Sequence, residues 1–473
     1  MQLVSAMEKP EPLEGKLGLL EDFLAQAGRR PVLAREGVDP LPHAFARKSA
    51  VHPGLSGHPL RDQEARQRLE TLSQGPPPQG LAAAYFHIPF CASRCLYCGF
   101  FGRPLAPGQS RAYTDALLRE MSLLGLDPRQ ATPPLQAVYL GGGTPSALEA
   151  GDLARLLESI REWLPLTNDC EITVEGRVYG FDPQKVRACL DAGANRFSIG
   201  VQSFDTALRR GLGRRAAREE VLEFLGEMAA DGRAAVVIDL IFGLPGQDMD
   251  RWEADLETLT DLGIDGADLY QLNLFPGGLL DQAVREGRLA EPADLARQSA
   301  LFARGVDLME RSRWRRLSIC HWGRTPRERN LYNLLIKRKA DCLAFGAGAG
   351  GSRAGHFYFL DGDPDRYLEA VNQGVKPVVM CLEPPDQAGV VAELGGELEL
   401  GRVDLHRLGR VHGLDLSGIL APLLEQWDRV GLIERKQGWV ELTLAGQFWQ
   451  VNLTQALMDY LDWYGKRTGP AAG

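Results

Sequence analysis

The chain has 473 residues, of which 44% are hydrophobic and 24% charged, and its formal net charge is −9. This is an ordinary globular composition, long enough for about two to three domains with a large core. The negative charge argues against a nucleic-acid or anionic-membrane partner. The sequence contains no run of 18 apolar residues, so no membrane span is predicted. No signal peptide is expected at the N-terminus. We therefore expect a cytoplasmic protein whose cysteines are reduced.

Residues 1–80 lack a repeated pattern, and we interpret them as an N-terminal arm. Leu19–Gly28 predicts a short helix that ends at its glycine, whereas Asp39–Leu60 is rich in Pro, Gly and His and is expected to be irregular. Gly75–Gly80, GPPPQG, marks a break before the next region. The arm is either a solvated extension or a segment that folds over the active site and helps to exclude water.

From residue 81 onward, short apolar strands alternate with longer helical stretches. The predicted strands are Ala82–Ile88, Ala137–Leu140, Glu171–Glu175, Arg196–Gln202, Ala235–Phe242 and Asp268–Leu274. The predicted helices between them are Tyr113–Leu124, Ala150–Trp163, Pro183–Ala192, Arg218–Ala230 and Met249–Leu262. This alternation predicts an α/β fold with a parallel sheet and right-handed crossovers. Six units fit a partial (β/α)6 TIM-like barrel, in which chemistry collects where the strands end.

The most informative stretch follows the first strand. Tyr85–Phe101, YFHIPFCASRCLYCGFF, holds Cys91, Cys95 and Cys98 in the spacing C-x3-C-x2-C. A four-iron cluster normally takes four Cys thiolates, so three leave one iron open to a small molecule with an amine and a carboxylate. Zinc prefers four N/S ligands, often as two C-x2-C pairs, and fits this spacing poorly. The other alternative is three incidental cysteines.

Glycines and polar residues recur where the strands end. Gly141–Thr144 follows the second strand and offers unhindered backbone N–H groups, although a plain tight turn is the alternative. Glu175 ends the third strand and could pair with an ammonium group, and Gln202 ends the fourth. Asp239 lies within the fifth strand, where a buried charge needs a partner, and Arg214 could pair with a carboxylate. Any one of them could instead be structural; their common location favours a site.

From Tyr85 to about Leu279 the chain resembles the coproporphyrinogen-dehydrogenase-like branch of the radical S-adenosylmethionine (radical SAM) proteins. The matching segments, in order, are HIPFC, GGGTP, Glu175, Gly200–Phe204, the Arg of GRR and Asp239–Gln247. The resemblance implies a radical SAM barrel in which Cys91, Cys95 and Cys98 ligate a 4Fe–4S cluster. The residues that it implies for the SAM site are Tyr85, Tyr97, Gly142, Gly143, Thr144, Glu175, Gln202, Arg214 and Asp239, with Asn273 and Gly348–Gly350 as further candidates.

Other segments resemble the anaerobic haem-utilisation radical SAM methyltransferases. These segments are CxYCGFF, Glu175–Arg177, Asn330–Lys337, Phe345–Ser352 and Ala50–Leu60. The resemblance implies that haem is opened without oxygen, that a methyl-derived carbon from SAM is attached, and that a linear tetrapyrrole and iron are released. It also implies a flavodoxin- or ferredoxin-like electron donor. The alternatives are an oxygen-independent coproporphyrinogen III dehydrogenase and a non-catalytic haem chaperone.

Two residues are candidates for catalysis. Arg177 stands where coproporphyrinogen dehydrogenases would carry a different residue, which argues against simple propionate decarboxylation. His321 could bind the haem iron or donate a proton to the ring, although a hydrogen-bonded structural histidine is the alternative. It lies in Arg313–Arg329, a basic tract that could pair with propionates or be a solvated helix face.

The last part of the chain changes character after Pro384–Pro385. Helices are expected, followed by a hairpin at Gly431–Thr443, which predicts a small winged-helix-like module. Between Gly396 and Trp463, six Lys and Arg stand against ten Asp and Glu, which opposes phosphate binding. We therefore divide the chain into an arm (1–80), a radical SAM barrel with an extension (81–380) and a winged-helix-like lid (381–473).

Overall fold

The computed structural model describes residues 20–25, 32–49, 57–75, 80–99, 102–123 and 133–468. The chain forms two compact units, Ser56–Pro384 on the one hand and Met1–Leu55 with Pro385–Gly473 on the other. Residues 57–75, which the sequence placed in the arm, belong to the larger unit. The division into three domains stays a prediction.

The strands and helices are named here in chain order. The strands are β1 His58–Arg61, β2 Ala82–Ile88, β3 Leu135–Gly142, β4 Leu166–Gly176, β5 Arg196–Gln202, β6 Ala235–Phe242, β7 Gly266–Gln271, β8 Arg315–Arg316, β9 His321–Gly323, β10 Asp341–Phe345, β11 Gly350–Arg353, β12 His356–Leu360, β13 Val378–Glu383, β14 Arg402–Asp404, β15 Ile433–Lys436 and β16 Trp439–Leu442. The helices are α1 Pro40–His43, α2 Asp62–Gln74, α3 Gln109–Ser122, α4 Ala150–Trp163, α5 Pro183–Asp191, α6 Thr206–Gly211, α7 Arg218–Asp231, α8 Met249–Asp261, α9 Leu279–Arg285, α10 Leu295–Arg311, α11 Leu331–Lys337, α12 Pro364–Asn372, α13 Ala388–Leu398, α14 Leu405–His412, α15 Leu416–Arg429, α16 Leu444–Phe448 and α17 Gln450–Thr468.

The larger unit is built on one sheet, whose order among the described residues is β1-β13-β12-β11-β10-β2-β3-β4-β5-β6-β7-β9-β8. Strands β2 to β7 are neighbours and parallel, with helices in the connections. The predicted α/β fold with six parallel strands is therefore confirmed, and β2, β5 and β6 have the predicted bounds. Within the described part of the chain, the sheet ends at β1 and β8 and does not close into a barrel.

The two faces of the parallel strands differ in character. On β2, Phe86 and Ile88 are fully buried, and Phe86 stacks on Phe345 with ring centroids 4.6 Å apart. The alternate residues Tyr85 and His87 are only half-buried, although β2 lies in the middle of the sheet. Because side chains alternate along a strand, the half-buried residues share the inner face, which borders an open space.

The sheet extends beyond the six predicted strands. Strand β10 pairs in parallel with β2, and β11, β12, β13 and β1 follow in antiparallel order. On the other edge, β9 pairs antiparallel with β7. This extension was not predicted, because its strands are short and their apolar runs lack the spacing that marks a strand–helix alternation.

The smaller unit combines helices α13 to α17 with the three-stranded sheet β14-β16-β15. The predicted hairpin is confirmed: β15 pairs with β16, and Gln437 and Gly438 at its tip both have positive φ, as a tight hairpin turn requires. Residues 32–34 also belong here, because the Gln426 amide exchanges two hydrogen bonds with the Ala34 backbone. Residues 20–25 are helical, and the rest of the predicted Leu19–Gly28 helix lies outside the described residues.

Among the described residues, no helix combines the length and the hydropathy that crossing a bilayer requires.

A buried chain of charges links β7, β9 and β5. His321 Nδ1 lies 2.8 Å from Asp268 Oδ2, and its Nε2 lies 2.9 Å from Glu328 Oε1. Glu328 in turn pairs with Arg196, whose Nε is 2.9 Å from Glu328 Oε2. All four side chains are at most 4% exposed. The antiparallel strand β9 is thus joined to the parallel strands by charge-assisted contacts as well as by its ladder.

The pKa values of His321 and Glu328 are set by burial and by their charged neighbours in this network. Burial would lower the pKa of His321, but Asp268 and Glu328 more than offset this and raise it to about 9. Burial would raise the pKa of Glu328, but Arg196 and His321 lower it to about 2. The stabilisation from His321 is therefore complete below pH 6.5 and lost as pH rises through about 9. That from Glu328 is complete above pH 4.5 and lost as pH falls through about 2.

Replacing Glu328 by glutamine should destabilise the fold, because it leaves Arg196 and His321 buried without their carboxylate. Breaking a buried pair in this way costs about 3–5 kcal/mol. Urea unfolding at pH 6 measures the loss. The control is Glu253→Gln, which breaks a half-exposed pair with Arg304 and should cost much less. Equal losses for the two variants would contradict this account of the network.

Candidate active site

The three cysteines lie on the loop that follows β2. Cys91 and Cys95 are buried, Cys98 is half-buried, and none of the three forms a disulfide. The loop is attached to two other segments: Leu96 N donates to Leu212 O and accepts through its own carbonyl from Leu280 N, both at 3.1 Å. The segment between Cys95 and Cys98 is therefore held between the end of α6 and the start of α9.

Arg177, just beyond the end of β4, binds the same loop. Its side chain is buried, and Nη1 and Nη2 donate to Ser93 O at 2.8 Å and Ser93 Oγ at 3.1 Å. Hydrogen bonds from a charged donor contribute about 1.5–3 kcal/mol. These contacts tie Arg177 to the loop between Cys91 and Cys95, and its predicted catalytic role stays a prediction.

The glycines after β3 allow close contact with this loop. Gly143 N donates to Ile88 O at 2.8 Å, and a Cβ at Gly143 would lie 2.7 Å from Phe90 O. Gly142 has a φ of +111°, which other residues rarely adopt. Thr144 Oγ1 then lies 3.3 Å from Cys91 Sγ. The predicted glycine motif and the cysteine loop are thus neighbours.

Two carboxylates lie on the inner face of the sheet. Burial, together with the charge of Asp239, raises the pKa of Glu175 to about 8. Burial, together with the charge of Asp268, raises the pKa of Asp239 to about 7. A Cβ at Gly141 would lie 2.8 Å from Glu175 Oε2, so this carboxylate faces the glycine motif. Raised pKa values mean that a cationic or hydrogen-bonding ligand would stabilise the ionised forms.

Several buried polar atoms at the end of β5 and in the segments that follow β4 and α6 have no hydrogen-bond partner among the described residues. Gln202 has a φ of +67°, and its Oε1 accepts no hydrogen bond. Arg214 Nη2 donates to Gly200 O at 2.6 Å, but its Nε is unpaired, as is Arg177 Nε. Buried polar groups are normally satisfied, so unpaired atoms clustered at strand ends favour a polar ligand there.

Tyrosines border this region from two directions. Burial raises the pKa of Tyr97, whose phenol also hydrogen-bonds the Cys95 thiol. Tyr85 is on the inner face, where its hydroxyl lies 3.0 Å from His87 Nδ1. A Cβ at Gly142 would lie 2.7 Å from the His87 ring. His87 was not predicted to lie at this site, although its place within HIPFC, directly before the cysteines, was a usable signal.

The remaining candidates lie elsewhere. His321 is fully buried in the charge network with a carboxylate at each ring nitrogen, which opposes contact with iron or a substrate. Asn273 Nδ2 donates to Gln271 O at 3.4 Å. Gly348 N donates to Asp361 O, within the turn between β10 and β11. Among the described residues, Asn273 and Gly348–Gly350 form no hydrogen bond with the cysteine loop.

The three cysteines and the polar atoms near them can be compared with the needs of a zinc ion and of a 4Fe–4S cluster. Among the described residues, no three His, Cys, Asp or Glu side chains converge on a point where they could hold one metal ion. A single zinc ion needs such convergence. In a cubane each thiolate binds a different iron, so the cysteines need only surround the cluster. Three soft thiolates next to unpaired polar atoms fit a cluster with one open iron.

Comparison with known proteins agrees with this geometry. Residues 85–259 match the model of the Radical SAM superfamily. The chain is 42% identical over 433 residues to anaerobilin synthase of Escherichia coli O157:H7, covering 91% of this chain and 95% of that protein. It is 32% identical over 289 residues to heme chaperone HemW of Lactococcus lactis subsp. lactis (strain IL1403), covering 61% and 74%.

A solved structure shares the fold. Coproporphyrinogen III oxidase (HemN) from Escherichia coli, a radical SAM enzyme, superposes with a TM-score of 0.72 at 18% identity, covering 86% of this chain and 96% of that chain. At this identity the likeness establishes the fold alone. The family model and the long alignments at 42% and 32% identity establish the family as well. The chain belongs to the radical SAM superfamily of enzymes, which use a 4Fe–4S cluster and S-adenosylmethionine, and within it to the family that includes anaerobilin synthase.

Proposed function

We propose that this protein is a radical SAM methyltransferase that opens the porphyrin ring of haem without oxygen. The products are a methylated linear tetrapyrrole and free iron. The observation that carries the proposal is the 42% identity to anaerobilin synthase, which extends over nearly the whole of both chains. A low-potential electron donor of the flavodoxin or ferredoxin type would supply the electrons.

Cys91, Cys95 and Cys98 would hold the cluster, and its open iron would receive SAM. When bound, these two groups supply a carbon-centred radical, the chemistry that no side chain provides. The protein's part is to bind, orient and exclude water. Arg177 and Thr144 contribute by holding the loop and facing Cys91.

The SAM site would be completed by groups at the strand ends. Glu175 would accept from an ammonium group, and that pairing would lower its raised pKa. Asp239 would accept from ribose hydroxyls. Gln202 and Arg214 have unpaired polar atoms to offer. Tyr97, next to Cys95, would pack against the cofactor.

A cluster of tyrosine rings on the inner face of the sheet, an aromatic wall, favours binding of a planar substrate. Tyr85, Tyr139 and Tyr332 pack against one another, with ring centroids 4.7, 5.9 and 6.4 Å apart. All three are half-buried on the inner face, and Tyr270 on the same sheet is 38% exposed. Aromatic rings favour offset stacking with other flat π systems. A tetrapyrrole is such a system, and a wall of this kind also keeps water from reactive intermediates.

The basic tract contributes less than the sequence suggested. Most of its arginines are occupied by the protein itself: Arg315 and Arg316 donate to backbone carbonyls, as does Arg324, while Arg327 and Arg329 pair with acids. His321 has two carboxylate partners. We therefore propose that this tract is structural and that propionates find their cations elsewhere.

A second candidate function is haem delivery without turnover. It is favoured by the 32% identity to heme chaperone HemW, which also covers 74% of that protein. The two functions differ in one observable, because a chaperone would bind haem without forming a new tetrapyrrole. The coproporphyrinogen dehydrogenase alternative is supported only by the fold shared with HemN.

Reconstituted protein incubated with reductant, SAM and haem under nitrogen should yield a linear tetrapyrrole that is heavier than haem-derived porphyrin by a methyl-derived carbon. Mass spectrometry of the tetrapyrroles detects it. Cys95→Ala should abolish the product, whereas Cys189→Ala, a buried thiol on α5, should retain it. Bound haem with no 5′-deoxyadenosine would favour the chaperone, and carbon dioxide from coproporphyrinogen would favour the dehydrogenase. Haem consumption by Cys95→Ala would contradict the radical mechanism.

Arg177→Ala should weaken cluster retention about 10–100-fold, because it removes both hydrogen bonds to Ser93, and partners that orient metal ligands have effects of this size. Iron and sulfide content after chelator challenge measures retention without reference to turnover. Arg187→Ala, an exposed arginine on α5, is the matched control. Unchanged retention in Arg177→Ala would rule out the positioning role.

A further inference from the structure

A tight turn of residues 178–181, which we call the β4 turn, follows strand β4 at the edge of the sheet where the cysteine loop is attached. Arg177, directly before this turn, donates two hydrogen bonds to Ser93 of that loop. Gly180 has a φ of +82°, and the Phe181 ring is 1% exposed. The turn is therefore anchored in the core and lies next to the loop that carries the cysteines.

Two cationic side chains contact the β4 turn. Lys185, on α5, donates from Nζ to Gly180 O at 3.3 Å and to Ser146 O at 3.0 Å. Arg215, in the segment before α7, donates from Nη1 to the Tyr179 hydroxyl at 2.9 Å, and its guanidinium carbon lies 4.9 Å from the centre of that ring. Tyr179 is 43% exposed, Arg215 is exposed and Lys185 is half-buried. Both positive charges are thus accessible to a ligand at this turn.

Neither cation uses all of its hydrogen-bond donors. A lysine ammonium has three donors and an arginine guanidinium has five. Lys185 uses two of them on carbonyl oxygens, and Arg215 uses one on a hydroxyl, so every acceptor is neutral. Neither side chain forms an ion pair with a carboxylate of the described residues. Since hydrogen bonds between ionised partners are the stronger ones, both cations keep donors and charge for an anionic ligand.

The acids that lie close in sequence are engaged elsewhere or do not pair with these cations. Asp182 accepts from a backbone N–H of α5, and Glu220 accepts from the backbone N–H that precedes α7. Glu175, at the end of β4, faces the glycine motif. Glu219 is exposed in the first turn of α7. The two charges at the β4 turn are therefore without an ionic partner within the described part of the chain.

We propose that Tyr179, Lys185 and Arg215 bind a propionate carboxylate of the tetrapyrrole, and we call these three residues the carboxylate site. The planar guanidinium of Arg215 matches a carboxylate with two parallel N–H groups, and Lys185 adds a compact positive charge. Contact with the ring and hydroxyl of Tyr179 holds the guanidinium in place before the ligand arrives, which reduces the entropy lost on binding.

The carboxylate site complements the aromatic wall. The wall is formed by residues of β2, β3 and α11, and β4 is the next strand in the sheet. A flat ring system on the wall and a carboxylate at the β4 turn would therefore contact adjacent strands. The proposal rests on the proposed function, because it names the residues that recognise part of its substrate.

The test uses two probes, haem and its dimethyl ester, in which both propionates are neutral. Titrations followed by the absorbance of the porphyrin give the Kd of each probe for the reconstituted holoenzyme, without reductant. Wild-type protein should bind the ester about tenfold more weakly than haem, because charge-assisted hydrogen bonds are lost. Arg215→Gln should bind haem about tenfold more weakly than wild type but bind the ester equally well. The losses should not add, because the guanidinium and the carboxylate are two halves of one interaction.

Three further variants sharpen the comparison. Lys185→Gln should resemble Arg215→Gln, with weaker binding of haem and unchanged binding of the ester. Arg215→Lys keeps the charge without the planar fork and should recover part of the haem affinity. Arg187→Gln, which changes an exposed arginine on α5, is the matched control and should bind both probes as wild type does.

The proposal would be overturned by unchanged haem affinity in Arg215→Gln, or by equal weakening for haem and the ester, which would indicate a structural role. Weaker binding of SAM at unchanged haem affinity would assign Arg215 to the carboxylate of SAM and would also overturn it. Failure of the proposed function alone would appear differently: haem would bind with the expected dependence on its propionates, but no linear tetrapyrrole would form.

Discussion

The attachment of the cysteine loop to the strand ends is the constraint on which the site depends. A loop with three thiolates has many conformations of its own, and ordering it costs about 1–2 kcal/mol per residue in backbone entropy. Arg177 holds Ser93, Leu212 and Leu280 hold Leu96, and the glycine motif packs on Ile88 and Phe90. These contacts come from four different places in the chain, so the loop is ordered only when the sheet has formed.

The charges within the sheet divide into two groups with different consequences. Arg196, Glu328, His321 and Asp268 are fully paired with one another, which is how buried charges are normally tolerated. Glu175 and Asp239 form no ion pair with another described residue, and burial raises the pKa of both. The paired group stabilises the sheet edge. Carboxylates with raised pKa values such as these are common in functional sites.

The sequence was sufficient for features whose signal is local. The apolar runs of β2, β5 and β6 gave their bounds, and the spacing of the cysteines indicated a cluster. Features that depend on distant partners were not accessible. The contact of Arg177 with Ser93 was not predicted, because the two lie 84 residues apart, and His321 looked available because Asp268 and Glu328 were not known to flank it. The extension from β10 to β13 was missed because short antiparallel strands carry little periodicity.

The central claim is that three thiolates hold a four-iron cluster whose remaining iron is open to SAM. Electron paramagnetic resonance of the reduced, reconstituted protein tests it most directly, with spectra recorded before and after SAM is added. The account predicts about one cluster per chain and a spectrum that changes when SAM binds, because the ligand enters at the open iron. A protein that takes up no cluster, or a cluster spectrum that SAM leaves unchanged, would contradict it.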